Sequence, residues 1–250
     1  MGQTANLFRD GPADRPIPYL LFLPEEKRKN PRRKWPVILF LHGGGERGSN
    51  PEILKRHGIP KMAEGDPAFP FIAISPQCPA RSAWGPHLDT VESLLNSILE
   101  SYAGDAERVY LTGMSMGGNG VWSMAARYPR KFAAAAPICG YGLRSEGFPQ
   151  KVCVLNEMPV WAFHGEDDDI IPVFESRILV KTLKACGGRV RFTVYPGVGH
   201  DSWTKTYDDP RLYRWFLRHS LPGKLRPRAP ALRSCACRCD EPPRPRGLRR

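Results

Sequence analysis

The sequence predicts an α/β fold in which a mostly parallel central sheet carries helices on both faces. Two observations lead to this prediction. Short apolar runs recur along the chain, and most are continuous rather than alternating, as is typical of strands buried on both faces. Amphipathic stretches with helical spacing separate the runs, and strand–helix–strand units of this kind form parallel sheets.

Seven apolar runs are predicted to be strands. They cover residues 19–23, 37–41, 69–75, 108–112, 133–138, 160–164 and 190–195. Helices are predicted where apolar residues recur in steps of three and four. These stretches are residues 88–102 and 173–186, followed by a last helix around Leu212, Trp215 and Phe216. A further helix is expected at residues 119–127, directly after a glycine-rich turn.

The composition divides the chain into three parts. Residues 1–15 are predicted to be a flexible N-terminus, and residues 16–220 a single α/β domain. Residues 221–250 contain six prolines and few large apolar residues. Such a segment cannot bury enough apolar surface to offset the entropy lost on ordering, so we predict a disordered tail.

The net charge of +12 is concentrated in two segments. Residues 221–250 contribute +7 and residues 24–36 contribute +4, which leaves +1 for the rest of the chain. Because the body is nearly neutral, the charge argues against a nucleic-acid partner, although a basic tail is able to bind nucleic acid or anionic lipid. The oligomeric state stays open.

Three further patterns concern location and class. No apolar run reaches the roughly 18 residues of a membrane span, and residues 1–18 lack the apolar core of a secretory signal. We therefore expect a cytoplasmic protein. The 41% content of apolar residues also excludes a wholly disordered or collagen-like chain.

The seven cysteines are expected to be reduced, because a body of this size needs no disulfide framework. Four lie in the body and three form a C-x-C-x-C pattern in the tail: Cys78, Cys139, Cys153 and Cys186, then Cys235, Cys237 and Cys239. The tail pattern lacks the paired spacing of a structural zinc site. Neither a metal nor a cofactor is predicted.

The strongest local signal is G-x-S-x-G at residues 113–117. It directly follows a predicted strand and precedes a predicted helix, which is the context of a nucleophile elbow. Glycine at both ends allows a sharp turn that projects Ser115 from the end of the sheet and seats it at a helix N-terminus. The alternative is a glycine-rich turn whose serine has no chemical role.

A serine hydroxyl needs a base, and the base needs a carboxylate to fix its tautomer. His200 follows the last predicted strand and is the histidine best placed to be this base. His42 and His164 lie at strand ends before a glycine, which suits turn-forming roles. The loop after residues 160–164 offers three candidate acids, Asp167, Asp168 and Asp169.

An oxyanion site is predicted in the loop at residues 42–48, which contains three consecutive glycines. Glycines let backbone N–H groups turn toward one point without interference from Cβ atoms. One N–H of this loop and that of Met116 would hold the oxyanion. Phosphate-cradling loops are also glycine-rich, but the phosphate-binding motifs are missing here.

These strings resemble the α/β-hydrolase superfamily, in which the chain order is also Ser, Asp, His. The resemblance is to its predicted-peptidase and phospholipase/carboxylesterase-like branch, near feruloyl-esterase-like and polyhydroxybutyrate-depolymerase-like esterases. It covers roughly residues 16–220. The matching strings lie at residues 40–48, 75–79, 110–118, 137–140, 163–172 and 199–203.

The resemblance implies a catalytic Ser115, Asp168 and His200. Asp168 fits the acid of the family pattern H-G-x-x-D-x-x-[VI]-P, with Asp167 and Asp169 as fallback candidates. It also implies Gly44 as the loop donor, with Gly43 or Gly45 possible.

Only the segment 139–158 is available for a cap, so we expect no large cap domain and an open site for a small-molecule ester. Peptidases of the prolyl-oligopeptidase type resemble this domain but carry an additional propeller domain. We expect no room for such a domain in this sequence, so ester hydrolysis is favoured over peptide hydrolysis. Trp84 and Trp203 are predicted to line an acyl or aromatic pocket, with plain packing as the alternative. Glu46 and Arg47 are expected to pair and brace their loop.

Two other classes of protein remain as alternatives. One is a catalytically silent hydrolase fold used for binding. The other is a binder of nucleic acid or anionic surfaces that acts through residues 24–36 and 221–250. Neither accounts for a serine, an aspartate and a histidine on the three expected loops.

Overall fold

The computed structural model describes residues 2–9 and 16–222, and these residues form an eight-stranded sheet. The strands are β1 (Thr4–Phe8), β2 (Ile17–Phe22), β3 (Trp35–Leu41), β4 (Ile72–Pro76), β5 (Gly104–Met114), β6 (Ala134–Ile138), β7 (Val160–Gly165) and β8 (Val190–Tyr195). Each of the seven predicted runs overlaps one of them. The mostly parallel α/β architecture is confirmed.

The spatial order of the strands is β1-β2-β4-β3-β5-β6-β7-β8. β1 and β2 pair antiparallel, β2 and β4 also pair antiparallel, and all later pairs are parallel. Parallel neighbours place their carboxyl ends at one edge of the sheet, which is where chemistry gathers in open α/β sheets.

The N-terminus departs from the prediction. Residues 1–15 were expected to be flexible, but Thr4–Phe8 forms strand β1 with a regular register against β2. The backbone hydrogen bonds with β2 stabilise this strand. Its own sequence has no apolar pattern from which a strand could be predicted. Residues 10–15, and residues 223–250 of the predicted tail, lie outside the described part of the chain.

Helices cover both faces of the sheet. They are α1 (Glu25–Lys29), α2 (Gly58–Gly65), α3 (Leu88–Ser101), α4 (Met116–Arg127), α5 (Val173–Ala185), α6 (Ser202–Tyr207) and α7 (Pro210–Phe216). The helical spacing predicted α3, α5 and α7, and the glycine-rich turn before residue 119 predicted α4. The sequence did not predict α1, α2 and α6, which are short and lack a long apolar stripe.

Strand β3 shows how the two faces become two cores. All seven of its residues are buried. Val37, Leu39 and Leu41 belong to the core cluster that includes α3, α4 and α5. Ile38 and Phe40 belong to the cluster on the other face, which includes α2, α6 and α7. Because side chains alternate along a strand, one continuous apolar run fills both layers.

The segment between β6 and β7 forms two short 3₁₀ helices, Arg144–Glu146 and Gln150–Leu155, rather than a cap domain. The second is tied to the end of α5 by a disulfide between Cys153 and Cys186. The expectation of reduced cysteines is therefore wrong for this pair, while Cys78 and Cys139 are free and buried. The cytoplasmic location stays a prediction.

Among the helices of residues 2–9 and 16–222, none combines the length and the apolar character that crossing a bilayer requires.

Candidate active site

Ser115 lies in a sharp turn between the end of β5 and the start of α4. Its backbone has φ 55° and ψ −119°, a conformation that side-chain-bearing residues rarely adopt. Strained backbone of this kind is typical of functional positions, where surrounding structure holds it in place. The backbone N–H of Ser115 donates to Ile138 of β6 at 3.0 Å, so the neighbouring strand fixes the turn.

Two glycines make the turn possible. A Cβ on Gly113 would lie 2.5 Å from the carbonyl oxygen of Leu41, and one on Gly117 would lie 1.9 Å from the same atom. Both distances are shorter than real Cβ contacts, so β5 and α4 approach the end of β3 this closely only because these positions lack side chains. The G-x-S-x-G pattern is therefore a packing requirement at its two ends.

The loops after β7 and β8 bring two of the predicted residues to Ser115. His200 Nε2 lies 2.9 Å from Ser115 Oγ, and His200 Nδ1 lies 2.8 Å from Asp168 Oδ2. Since a carboxylate only accepts, Nδ1 carries the hydrogen and Nε2 is left to accept from the serine hydroxyl. The three side chains form one continuous chain of hydrogen bonds.

Of the three candidate acids, Asp168 is the one placed at His200. Its side chain is fully buried, whereas Asp167 and Asp169 are exposed. The second oxygen of Asp168, Oδ1, accepts the backbone N–H groups of Ile170 at 3.0 Å and Ile171 at 2.8 Å. These bonds orient the carboxylate and compensate for its burial.

His164 also holds Asp168, a role that the sequence analysis missed. Its ring is fully buried, with Nε2 3.1 Å from Asp168 Oδ2 and 2.8 Å from the carbonyl of Ile171. Both neighbours are acceptors, so Nε2 carries a hydrogen, and Nδ1 lies 2.8 Å from Ser176 Oγ. Burial lowers the pKa of His164, which favours the neutral ring. The four-residue spacing from His164 to Asp168 is the signal that could have indicated this contact.

Cys139 lies close to the same hydrogen-bonded chain. Its sulfur and the nearest ligand atoms of Asp168 and His200 lie within 4.8 Å of one another. Burial raises the pKa of the Cys139 thiol to about 12, so the thiolate that would attack a substrate or bind a metal is disfavoured. Asp168 and His200 are moreover already engaged with each other. Of these two groups, the Ser115 hydroxyl is the one that forms a hydrogen bond with His200.

The glycine loop after β3 lies directly beside Ser115. A Cβ on Gly43 would be 3.6 Å from Ser115 Cβ. Gly44 begins a short 3₁₀ helix and Met116 begins α4. N–H groups at the first position of a helix have no acceptor within the helix, so both are available to an external oxygen.

His42 braces this loop from beneath. Its Nε2 accepts the N–H of Cys78 at 2.9 Å, so the hydrogen of the neutral ring is on Nδ1, which donates to Gly43 O at 2.6 Å. The carbonyl of His42 accepts Trp84 Nε1 at 3.0 Å. His42 therefore does more than form a turn. Both of its ring nitrogens and its carbonyl oxygen form hydrogen bonds that hold the loop in place.

The two tryptophans that were predicted to line a pocket have different positions. Trp84 has no exposed surface and packs edge-on against His42, with ring centroids 5.0 Å apart. The prediction that it contacts substrate is therefore wrong, and its part is to support the loop. Trp203 is half-buried and stands edge-on to His200 at 5.3 Å, so it lies beside the site.

Glu46 and Arg47 do not pair with each other. Arg47 is exposed and donates from Nε to Gly44 O at 2.8 Å and from Nη1 to Ser82 O at 3.2 Å. Glu46 is buried, with its carboxylate oxygens 3.8 Å from His42 and 3.9 Å from His57. Arg47 thus braces the loop through carbonyl oxygens rather than through the expected ion pair.

The burial of His42 should be visible in the pH dependence of stability. Burial lowers the pKa of His42 to about 4, against 6.5 in an unfolded chain. The unfolded state then binds more protons between these values, so stability is retained above pH 6.5 and falls as the pH drops toward 4, by about 3 kcal/mol. Urea unfolding of the wild type and of His42→Asn across this range should show a shallower dependence in the variant. Equal slopes would contradict the assignment.

The fold and this arrangement of loops define an α/β-hydrolase. The chain belongs to the phospholipase/carboxylesterase family, whose sequence model matches residues 86–211.

Curated relatives include esterases. Acyl-protein thioesterase 1 of Gibberella zeae is 31% identical over 121 residues, which cover 47% of this chain and 50% of the relative. Feruloyl esterase B of Thermothelomyces thermophilus is 30% identical over 151 residues, 55% of this chain and 48% of the relative. An uncharacterized secreted protein of Arthroderma benhamiae is 28% identical over 211 residues, 70% of this chain and 22% of the relative. The chain thus spans half or less of each of these proteins.

Solved structures give the same fold. A thermostable esterase superposes with a TM-score of 0.72 at 35% identity, covering 87% of this chain and 63% of that one. Acylaminoacyl peptidase of Pyrococcus horikoshii superposes with a TM-score of 0.70 at 17% identity, covering 90% of this chain and 43% of that one. At that identity the second likeness concerns the fold alone.

Proposed function

We propose that this protein hydrolyses carboxylic esters of small molecules, with Ser115 as nucleophile, His200 as general base and Asp168 as the acid that orients it. The observation that carries this proposal is the unbroken chain of hydrogen bonds from Asp168 through His200 to Ser115. No metal or cofactor is part of the proposed reaction.

The reaction proceeds in two displacements. His200 Nε2 takes the Ser115 proton as Oγ attacks the carbonyl carbon of the ester. The N–H groups of Gly44 and Met116 hold the resulting oxyanion. When the tetrahedral intermediate collapses, the alcohol leaves with the proton from His200, and an acyl-enzyme remains. Water then attacks the acyl carbon while His200 takes its proton and returns it to Ser115, which releases the acid.

Asp168 contributes through His200. Proton transfer makes the imidazole positive, and the buried carboxylate 2.8 Å from Nδ1 stabilises that charge. Trp203 is proposed to contact the substrate, because its ring stands at the edge of the general base. The short 3₁₀ segment between β6 and β7 leaves the site without a cap domain, which is consistent with an open pocket for small esters.

An active-site label and a substrate panel test this proposal. A fluorophosphonate should label the wild type at Ser115 and should label Cys139→Ala equally, because the thiol is not the nucleophile. The panel comprises p-nitrophenyl esters of increasing chain length, an acyl thioester, methyl ferulate and an aminoacyl p-nitroanilide. We expect kcat/KM for the best ester to exceed that for the anilide by about 100-fold or more, since ester hydrolysis needs no protonation of an amine leaving group.

Two outcomes would contradict the proposal. Absence of labelling on a folded protein would indicate a silent hydrolase fold used for binding. A preference for the anilide would indicate a peptidase.

A further inference from the structure

A groove with a volume of about 420 Å³ runs between the edge of the sheet and α7. Its floor consists of alternate residues of the last two strands, which therefore share one face of the sheet. These residues are Trp161, Phe163, Thr193 and Tyr195. Trp215 of α7 closes the back of the groove, with its ring 5.5 Å from that of Trp161. None of the proposed catalytic side chains lines it.

Arginines form the walls of this groove. Arg211, Arg214 and Arg218 occur at steps of three and four along α7 and its end, so they form one row on the helix surface. Arg191 of β8 faces them across the floor, with its guanidinium 3.9 Å from the centre of the Trp161 ring. We call the groove formed by these four arginines, the four floor residues, Trp215 and Asp209 the arginine groove.

Among the described residues that line the groove, Asp209 is the one with a carboxylate. Its carboxylate is already bound by Arg211, through Nε at 2.8 Å and Nη2 at 2.8 Å. Within the part of the chain that the structure describes, Arg191, Arg214 and Arg218 form no ion pair with a carboxylate. Arg211 and, at longer range, Arg214 lower the pKa of Asp209, so one carboxylate offsets only part of the charge of four guanidinium groups.

The charge of Arg218 also acts on a neighbouring histidine. The ring of His219 packs edge-on against Trp215 at 4.9 Å. Burial lowers the pKa of His219, and the charges of Arg189 and Arg218 lower it further. An anion that occupies the groove would relieve the same repulsion.

The chemistry of the walls selects the occupant. Guanidinium groups present planar, paired donors that match phosphate oxygens, and they prefer a dianion to a single charge. The volume falls within the range of small-molecule sites, and the aromatic floor offers an apolar surface for the rest of the ligand. Residues 223–250 carry a net charge of +7, and a second copy would bring its own arginines, so both are repelled. We propose that the arginine groove binds a small organic phosphate, at a site separate from the esterase centre.

Calorimetric titration of the full chain tests this site, with ATP, pyrophosphate and adenosine as probes. ATP should bind with a 1:1 stoichiometry, and adenosine should not bind because it lacks phosphate. The variant Arg214→Gln/Arg218→Gln should raise the Kd for ATP by about tenfold or more, because each lost hydrogen bond between a guanidinium and a phosphate removes binding free energy. Its ester hydrolysis should match that of the wild type, which also shows that it is folded.

The matched control removes the same charge from the tail. Arg249→Gln/Arg250→Gln should leave the Kd within about twofold, because the described lining of the groove ends at Arg218. Equal weakening by both variants would overturn the proposal in favour of nonspecific attraction to a basic chain. Binding to phosphatidylglycerol vesicles without saturable binding of ATP would overturn it in favour of a membrane surface. Absence of binding to any probe would also overturn it.

Discussion

Replacing Ser115 with alanine is expected to lower kcat for p-nitrophenyl esters by about 10⁴-fold or more. The substitution removes the oxygen that lies 2.9 Å from His200 Nε2 and leaves the base with no proton to take. KM should change little, because the loop donors and the pocket remain. Steady-state kinetics on the purified variant, with detection extended to the uncatalysed rate, measures this loss.

Two controls separate chemistry from folding. Alanine retains the backbone of a side-chain-bearing residue, so the thermal midpoint should stay close to that of the wild type. Cys139→Ala removes the other nucleophilic atom near His200, and its kcat should stay within about tenfold, since burial raises the pKa of that thiol to about 12. Retained turnover in Ser115→Ala together with a large loss in Cys139→Ala would reverse the assignment of the nucleophile.

The order of strands and helices could be predicted where a pattern is local. The run at residues 160–164 lies within β7, and the stripe that begins at Leu88 coincides with the start of α3, because both elements are buried as their apolar patterns predict. The turn around Ser115 was also predictable, since two glycines are required by contacts that Cβ atoms would prevent. In these places the local pattern and the tertiary structure agree.

Other features depend on partners far away in the chain. Strand β1 exists through its pairing with β2, and the disulfide joins cysteines 33 residues apart. Trp84 and Trp203 look alike in the sequence, yet one is buried beneath His42 and the other stands beside His200. A pattern read along the chain does not contain these distances, so it could not separate the two tryptophans.

The position of Asp168 was predictable in part from the local sequence and in part only from contacts with distant residues. Spacing alone left three adjacent aspartates open, and family resemblance selected one of them. The structure gives a physical difference between them: Asp168 is buried and accepts two backbone N–H groups, while its neighbours are exposed. His164, for which the sequence predicts a turn-forming role, is a second histidine at Oδ2 of Asp168, beside His200.

Asp168→Asn is expected to lower kcat by about 10⁴-fold, whereas Asp167→Asn and Asp169→Asn should change it by less than about twofold. The two backbone N–H groups at Oδ1 require an acceptor, so the asparagine oxygen stays there. Its amide nitrogen then takes the place of Oδ2 and donates toward His200 Nδ1. The ring must carry its hydrogen on Nε2 instead, and Nε2 can no longer accept the serine proton.

The three variants, which are matched in chemistry and nearly identical in sequence position, make the test specific. If the loss came from removing negative charge near the site, Asp167→Asn and Asp169→Asn would lower kcat as well. If the loss came from unfolding, the free energy of unfolding would fall with kcat. A reversed His200 tautomer requires that kcat falls only in Asp168→Asn. It also requires that this variant stays folded and reacts slowly with a fluorophosphonate. Comparable activity in all three variants would instead show that His200 is oriented without a carboxylate, and the proposed role of Asp168 would be wrong.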